Sequence, residues 1–374
     1  MTPRQRLLAA MHGHQTDYLP CSIYFNPNLQ VPGYDLRDPW ERVRLSLDLG
    51  VDPVVNVGLP VAHHPDVSVE VQVEQAVGGT DPVLVKTFNT PAGSLRWGVR
   101  LGDDWPHGHD IPFGDHTASN LVEPLLKGPD DVEAFRFVFS APGPKHVDAH
   151  REQAVQVVER AHARGLPVQF TAGQGLATLL FAMGAERAAL FAVDHPQAFA
   201  ELAEHLADVS IRCMQVAADL GVDIIKRFGG YEQTNFYNPS IFRTVVLPQL
   251  TRETAAAREL DLTIYYRVVT GMTPLLDDIA SAGFHCIEGG EPHLGDCSLE
   301  RWHEAFNGRA TSWTGISTPV LLGGNDPDAV RREVDHCIEV FGRRGFVLGV
   351  TNSIRNHFPW RNTLALVERW AQRR

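Results

Sequence analysis

The chain has 374 residues, a formal charge of −12 at pH 7, and 44% hydrophobic and 21% charged residues. That acidic balance argues against a general nucleic-acid binder, and no apolar run approaches the roughly 20 residues of a membrane span. Five scattered cysteines (Cys21, Cys213, Cys286, Cys297 and Cys337) form no CxxC pair, which points to reduced thiols and a cytoplasmic protein.

Residues 3–12 read as a first amphipathic helix rather than a signal peptide, because His12 and His14 break its short apolar run. Tyr18–Phe25 is a candidate strand. Pro39–Leu49 is a helix closed by Gly50, and Asp52–Gly58 is a second short strand carrying Asn56. The texture changes from Val67 to Leu101. Val-Ser-Val-Glu-Val-Gln-Val-Glu alternates with period two, as do Val83–Phe88 and Ser94–Leu101. Gly-Gly-Thr-Asp at 78–81 and Thr-Pro-Ala-Gly at 90–93 supply turns, so the segment predicts an inserted antiparallel β-meander. The polar loop 103–116 is expected over a barrel mouth.

Helices are expected from Gly128 and over Lys145–Arg164. Strands then follow at Pro167–Ala172, Asp223–Phe228, Leu262–Val269, His285–Gly289, Ala310–Gly315 and Gly345–Val350, with helices between them and a last helix from Trp360 to Arg373. With the two early strands this makes eight strand–helix units, an α/β fold of the closed (β/α)8 TIM-barrel type in a single domain over 1–374. The strands are near-continuous apolar runs, as a sheet covered on both faces requires.

Candidate chemistry sits at the strand ends, where such barrels carry their sites. Arg227 and Arg267 lie inside apolar strands, so each needs an ion pair or a polar mouth. A guanidinium at a mouth suits carboxylate recognition, whereas an Arg267–Glu288 ion pair is the structural alternative. Glu288 ends the next strand and suits proton transfer, with Glu291 and His293 following it. Gly229-Gly-Tyr-Glu-Gln-Thr-Asn offers Tyr231, Gln233 and Asn235 as loop donors. Asn352 follows the eighth strand. The expected catalytic set is Glu288, Arg267 and Tyr231. The expected substrate-binding set is Arg227, Asn352, His293, Gln233 and Asn56. The histidine pairs at 63–64 and at 107 and 109, and His285-Cys286, lack the spacing of a compact metal motif, and no P-loop or GxGxxG occurs.

The order of several segments resembles the uroporphyrinogen decarboxylase superfamily, which also holds the corrinoid-linked methyltransferases. These are the opening Met-Thr-Pro-Arg-Gln-Arg-Leu-Leu, Gly221-Val-Asp-Ile-Ile with Asn238-Pro-Ser-Ile-Phe-Arg, Gly283-Phe-His-Cys-Ile-Glu with Leu294-Gly-Asp-Cys-Ser-Leu, and Phe346-Val-Leu-Gly-Val-Thr-Asn-Ser-Ile. The decarboxylase's N-terminal arginine motif is replaced by Cys21-Ser-Ile-Tyr-Phe-Asn-Pro-Asn, which disfavours porphyrinogen as substrate. The meander looks like that of the methyltransferase-type relatives. In the zinc-dependent members of that branch, ligands stand where this chain has Arg267, Val269 and Asn352, so the resemblance implies no zinc here.

The resemblance implies methyl transfer from a small methylated substrate to a corrinoid (cobalamin) held on a partner protein. It implies no tightly bound cofactor, and a homodimer. A cofactor-independent decarboxylase or lyase of a carboxylated substrate stays open, as does a non-catalytic barrel that binds a tetrapyrrole or corrinoid.

Overall fold

The computed structural model describes all residues except 76–80 and Asp296. Twelve strands run in chain order: β1 (Cys21–Ser22), β2 (Val55–Val57), β3 (Ser68–Glu74), β4 (Val83–Thr90), β5 (Gly93–Arg100), β6 (Leu121–Glu123), β7 (Val168–Gly173), β8 (Ile224–Phe228), β9 (Thr263–Val268), β10 (Cys286–Gly289), β11 (Thr311–Ile316) and β12 (Phe346–Val350). Eight of them form one parallel sheet in the order β1-β12-β11-β10-β9-β8-β7-β2, with helices outside, the (β/α)8 arrangement expected. β3, β4, β5 and β6 form a separate antiparallel sheet.

The two earliest strands are shorter than their apolar runs suggest. Pro20 and Pro53 carry no N–H and stand beside them, which limits the ladder. No ladder joins β1 to β2 among the described residues. The seam is instead held by Asp52, whose N–H donates to the Cys21 carbonyl at 2.7 Å while its carboxylate accepts the Cys21 N–H at 3.3 Å. Arg6 also pairs with this carboxylate.

The N-terminal end of the barrel is plugged. Thr2 and Gln5 form a capping box, and Pro3 takes the first helical position of helix Pro3–Met11. Leu7, Ala10 and Met11 of that helix pack with Ile224, Tyr265, Cys286, Trp313 and Val347 from the strands. Thr311 Oγ1 ties the helix end down by donating to the Ala10 carbonyl at 2.7 Å. Among the described residues the N-terminal strand ends are thus covered, which leaves the C-terminal strand ends for a site.

Outside the sheet, helix Pro196–Asp219 shows why the helices dock. Phe199, Leu202, Ala203 and Leu206 recur at helical spacing and are buried. Each of the two leucines contributes about 1.5–3 kcal/mol by leaving water. In the meander, Leu95, Trp97 and Val99, at every second position of β5, are buried, the period-two signal of the sequence. Its fourth strand, β6, has three residues and follows a short helix (Asp115–Asn120), too brief to show any period. The turn expected at 78–81 lies largely outside the described residues. No helix among the described residues is long and apolar enough to cross a membrane.

Candidate active site at the barrel mouth

Parity along the strands decides which side chains enter the barrel. On β9, Tyr265 and Arg267 point inward, while Ile264, Tyr266 and Val268 meet the outer core. The register then sets their neighbours: Glu288 of β10 lies beside Arg267, and Lys226 of β8 lies beside Tyr265 and Thr171. Lys226, Arg267 and Glu288 therefore converge above a floor made by Tyr265 and Trp313, whose rings lie 5.5 Å apart. Trp313 is held by donating its indole N–H to the Ser22 carbonyl at 3.3 Å.

Arg267 donates through one terminal nitrogen to Glu288 Oε1, and both residues are buried. The other carboxylate oxygen, Glu288 Oε2, is buried and accepts no hydrogen bond from any described residue. Burial lowers the Arg267 pKa and the Glu288 charge raises it, with a net rise, so the guanidinium stays charged. Lys226 behaves differently. Burial first, then the Arg267 charge, draw its ammonium down to about 8, against the pull of Glu288. The bend after Glu288 needs glycine. Gly289 has φ +106°, and a Cβ there would lie 1.9 Å from the Val268 carbonyl oxygen.

A polar chain crosses to the other side of the barrel. The Tyr265 hydroxyl donates to Gln169 Oε1 at 3.0 Å, and Gln169 Nε2 donates to Asn56 Oδ1 at 2.5 Å. Asn56 and Thr171 are exposed although they hold inward positions, and Tyr24, which influences the Arg267 charge, is exposed as well. The mouth is open on this side.

Of the residues expected from sequence, Arg267 and Glu288 come together and Asn56 joins them through Gln169 and Tyr265. The other five are placed differently. Arg227 points out of the barrel. Its Nε donates to Glu253 at 2.7 Å and its terminal nitrogens to both oxygens of Glu232 at 3.0 and 3.1 Å. All three are nearly solvent-free, and one terminal nitrogen also donates to the Phe228 carbonyl at 2.6 Å, so four of the five N–H donors hold Arg227 on the outer side of the sheet.

Tyr231 donates to Asp115 at 2.6 Å and sits in a ring cluster with Phe181, Phe228 and Phe236, at the rim rather than against Glu288. Gln233 accepts from the Thr270 hydroxyl at 3.1 Å and stitches the loops after β8 and β9. His293 lies 3.3 Å from Glu333 of helix Pro327–Phe341, away from Arg267. Asn352 is fixed by its N–H to Thr318 Oγ1 at 2.8 Å, and its Oδ1 accepts from Ser353 N at 2.7 Å. Glu291, buried, supports that loop by accepting from Thr351 Oγ1 at 2.5 Å.

Lys226 and Tyr265 join this candidate site although the sequence did not single them out. Both phases of β8 begin with isoleucine, Ile224 and Ile225, so periodicity gave no inward phase.

The three positions at which the sequence resemblance implies zinc ligands do not suit a metal ion. Arg267 is donor-only, Val269 has no ligand atom, and the Asn352 oxygen is engaged.

The model of the uroporphyrinogen decarboxylase (URO-D) family matches residues 105–372. Among solved structures, a methyltransferase from Methanosarcina mazei is similar at 18% identity, covering 100% of this chain and 99% of its own, with a TM-score of 0.61. A B12-independent methionine synthase from a Shewanella species is similar at 12% identity, covering 95% of this chain and 97% of its own, with a TM-score of 0.52. At these identities the likeness is one of fold. No curated protein sequence matches the chain. Since the family model spans well over half of it, the chain belongs to the uroporphyrinogen decarboxylase (URO-D) family.

Proposed function

We propose that this protein is a methyltransferase that takes a methyl group from a small anionic substrate bound at the barrel mouth and passes it to a corrinoid acceptor on a partner protein. The observation that carries the site is the junction of Arg267 and Glu288 at the open end of the barrel, with Glu288 Oε2 unpartnered. The reaction class rests on the family and on methyltransferase-fold relatives that match end to end.

In this reading Arg267 orients the anionic group with its remaining N–H donors. The bond between methyl carbon and heteroatom breaks, the methyl group joins the nucleophilic acceptor, and the electron pair stays on the heteroatom. That atom then takes up a proton, which Glu288 relays from solvent. The zinc that activates thiols in relatives has no counterpart in these residues, so protonation and hydrogen bonding activate the leaving group.

The test is spectroscopic. Purified protein with cob(I)alamin and a panel of methoxy- and N-methyl-carboxylates should form methylcobalamin, and Arg267→Leu should abolish this while remaining folded. No cobalamin methylation with any donor, together with carbon dioxide release from a carboxylated substrate, would establish a decarboxylase instead. Ligand uptake without turnover would establish a binding barrel.

A further inference from the structure

Two groups at the mouth are incomplete in complementary ways. Lys226, half-buried inside the barrel, makes no hydrogen bond or ion pair with any described residue. Glu288 Oε2 is buried and accepts nothing from the described residues. They do not satisfy each other, because no carboxylate oxygen lies within salt-bridge distance of the ammonium among the described residues, although Glu288 is near enough to raise its proton affinity. A half-buried ammonium with no protein partner beside a buried carboxylate oxygen with no donor is an arrangement that a bound ligand can complete.

The bridging molecule must offer an acceptor to Lys226 and a donor to Glu288. Arg267 narrows the choice further. Only one of its terminal nitrogens is committed to Glu288, so it can share an anion with Lys226.

We infer that the mouth binds a small hydroxy- or amino-carboxylate, its carboxylate held between Lys226 and Arg267 and its O–H or N–H donated to Glu288 Oε2. In the methyl-transfer reading an N-methyl amino-carboxylate is then the substrate, or a hydroxy-carboxylate the demethylated product. This rests on the mouth being the substrate site, as in the function proposed above, and does not depend on the methyl-transfer step. Lys226 thereby becomes a binding residue of this chain, and the ligand gains a second required group beyond its negative charge.

Saturation-transfer NMR and calorimetry on the intact protein with lactate, N-methylglycine and acetate test it. Lactate or N-methylglycine should bind about tenfold or more tighter than acetate, which has the anion but no donor. Whichever of the two binds tighter identifies hydroxyl or amine as the donor. Glu288→Gln should erase the advantage over acetate. Lys226→Met should weaken all three, and Lys226→Arg should restore them. In the wild-type protein, affinity should fall as pH rises through about 8, where Lys226 loses its charge while Arg267 from β9 keeps its own beside Glu288 of β10. Equal binding of acetate and lactate, no loss in Lys226→Met, or no binding of any probe at 20 mM (roughly the weak limit for such fragments) would overturn the assignment. Selective binding without cobalamin methylation would leave it standing and remove the methyl-transfer reading alone.

Discussion

The two faces of β8 put the same chemistry to opposite uses. Outward, Arg227 meets two carboxylates, and Tyr266 adds its hydroxyl to Glu232 at 2.6 Å while Leu176 adds its N–H at 2.9 Å. There is no room left: Gly175 lies so close that a Cβ would come within 2.0 Å of Glu232 Oε1. Inward, one residue earlier, Lys226 has no partner among the described residues, and on the neighbouring strand Arg267 shares a single carboxylate that keeps one oxygen open. A saturated buried ion network fixes structure. An unsaturated one at a barrel's open end is where a ligand completes the bonding.

The outer network should therefore respond first to loss of a partner. Glu232→Ala removes the bonds from Arg227, Tyr266 and Leu176 and leaves the buried guanidinium with Glu253 as its remaining carboxylate. A loss of about 3–5 kcal/mol in unfolding free energy is expected by chemical denaturation. A change below about 1 kcal/mol would mean that the outer cluster is no more structural than the inner one, and the contrast would fail.

Glu288→Gln sharpens the other side. The amide oxygen still accepts from Arg267, and the nearby mouth admits water through Asn56 and Thr171. Stability should drop by about 1 kcal/mol, that of one charge-assisted bond made neutral. Cobalamin methylation should be lost. A mutant that unfolds like Glu232→Ala and keeps activity would make the Arg267–Glu288 pair a structural bridge, the alternative that the sequence already allowed.

The fold was legible because its signals are repetitive. Each of the later six barrel strands falls within a residue or so of its apolar run, and the meander announced itself through Val69, Val71 and Val73. The site was legible where a charged residue ends a strand, as Glu288 does. It was not legible on β8, where apolar residues precede both Lys226 and Arg227, so a one-residue phase decided which cation enters the barrel. A usable signal lay elsewhere. In helix Leu247–Glu259 the buried face runs Leu250, Glu253, Thr254 and Ala257, and an acid on that face demands a buried cation. That requirement would have drawn Arg227 outward and left Lys226 for the mouth. Tyr231 and His293 were placed by loop position alone, and loop position does not fix which partner a side chain finds, here Asp115 and Glu333.

The smallest effect has the most telling sign. The Lys226 pKa is lowered from its ordinary 10.5 to about 8 in the folded chain. The unfolded chain therefore binds more protons between these two values, and stability rises with pH across that window. Below about 8 the ammonium is charged in both states and its full desolvation burden falls on the folded one. Above about 10.5 it is neutral in both, and the burden is gone. Lys226→Met should consequently stabilise the protein at pH 7, by about 1 kcal/mol, with the gain shrinking as pH climbs from 8 toward 10.5. Denaturation of the wild-type and Lys226→Met proteins at pH 7 and pH 10 reads this directly. A destabilised mutant at pH 7 would show that Lys226 is already satisfied within the fold, and the inner face of β8 would then be as complete as the outer.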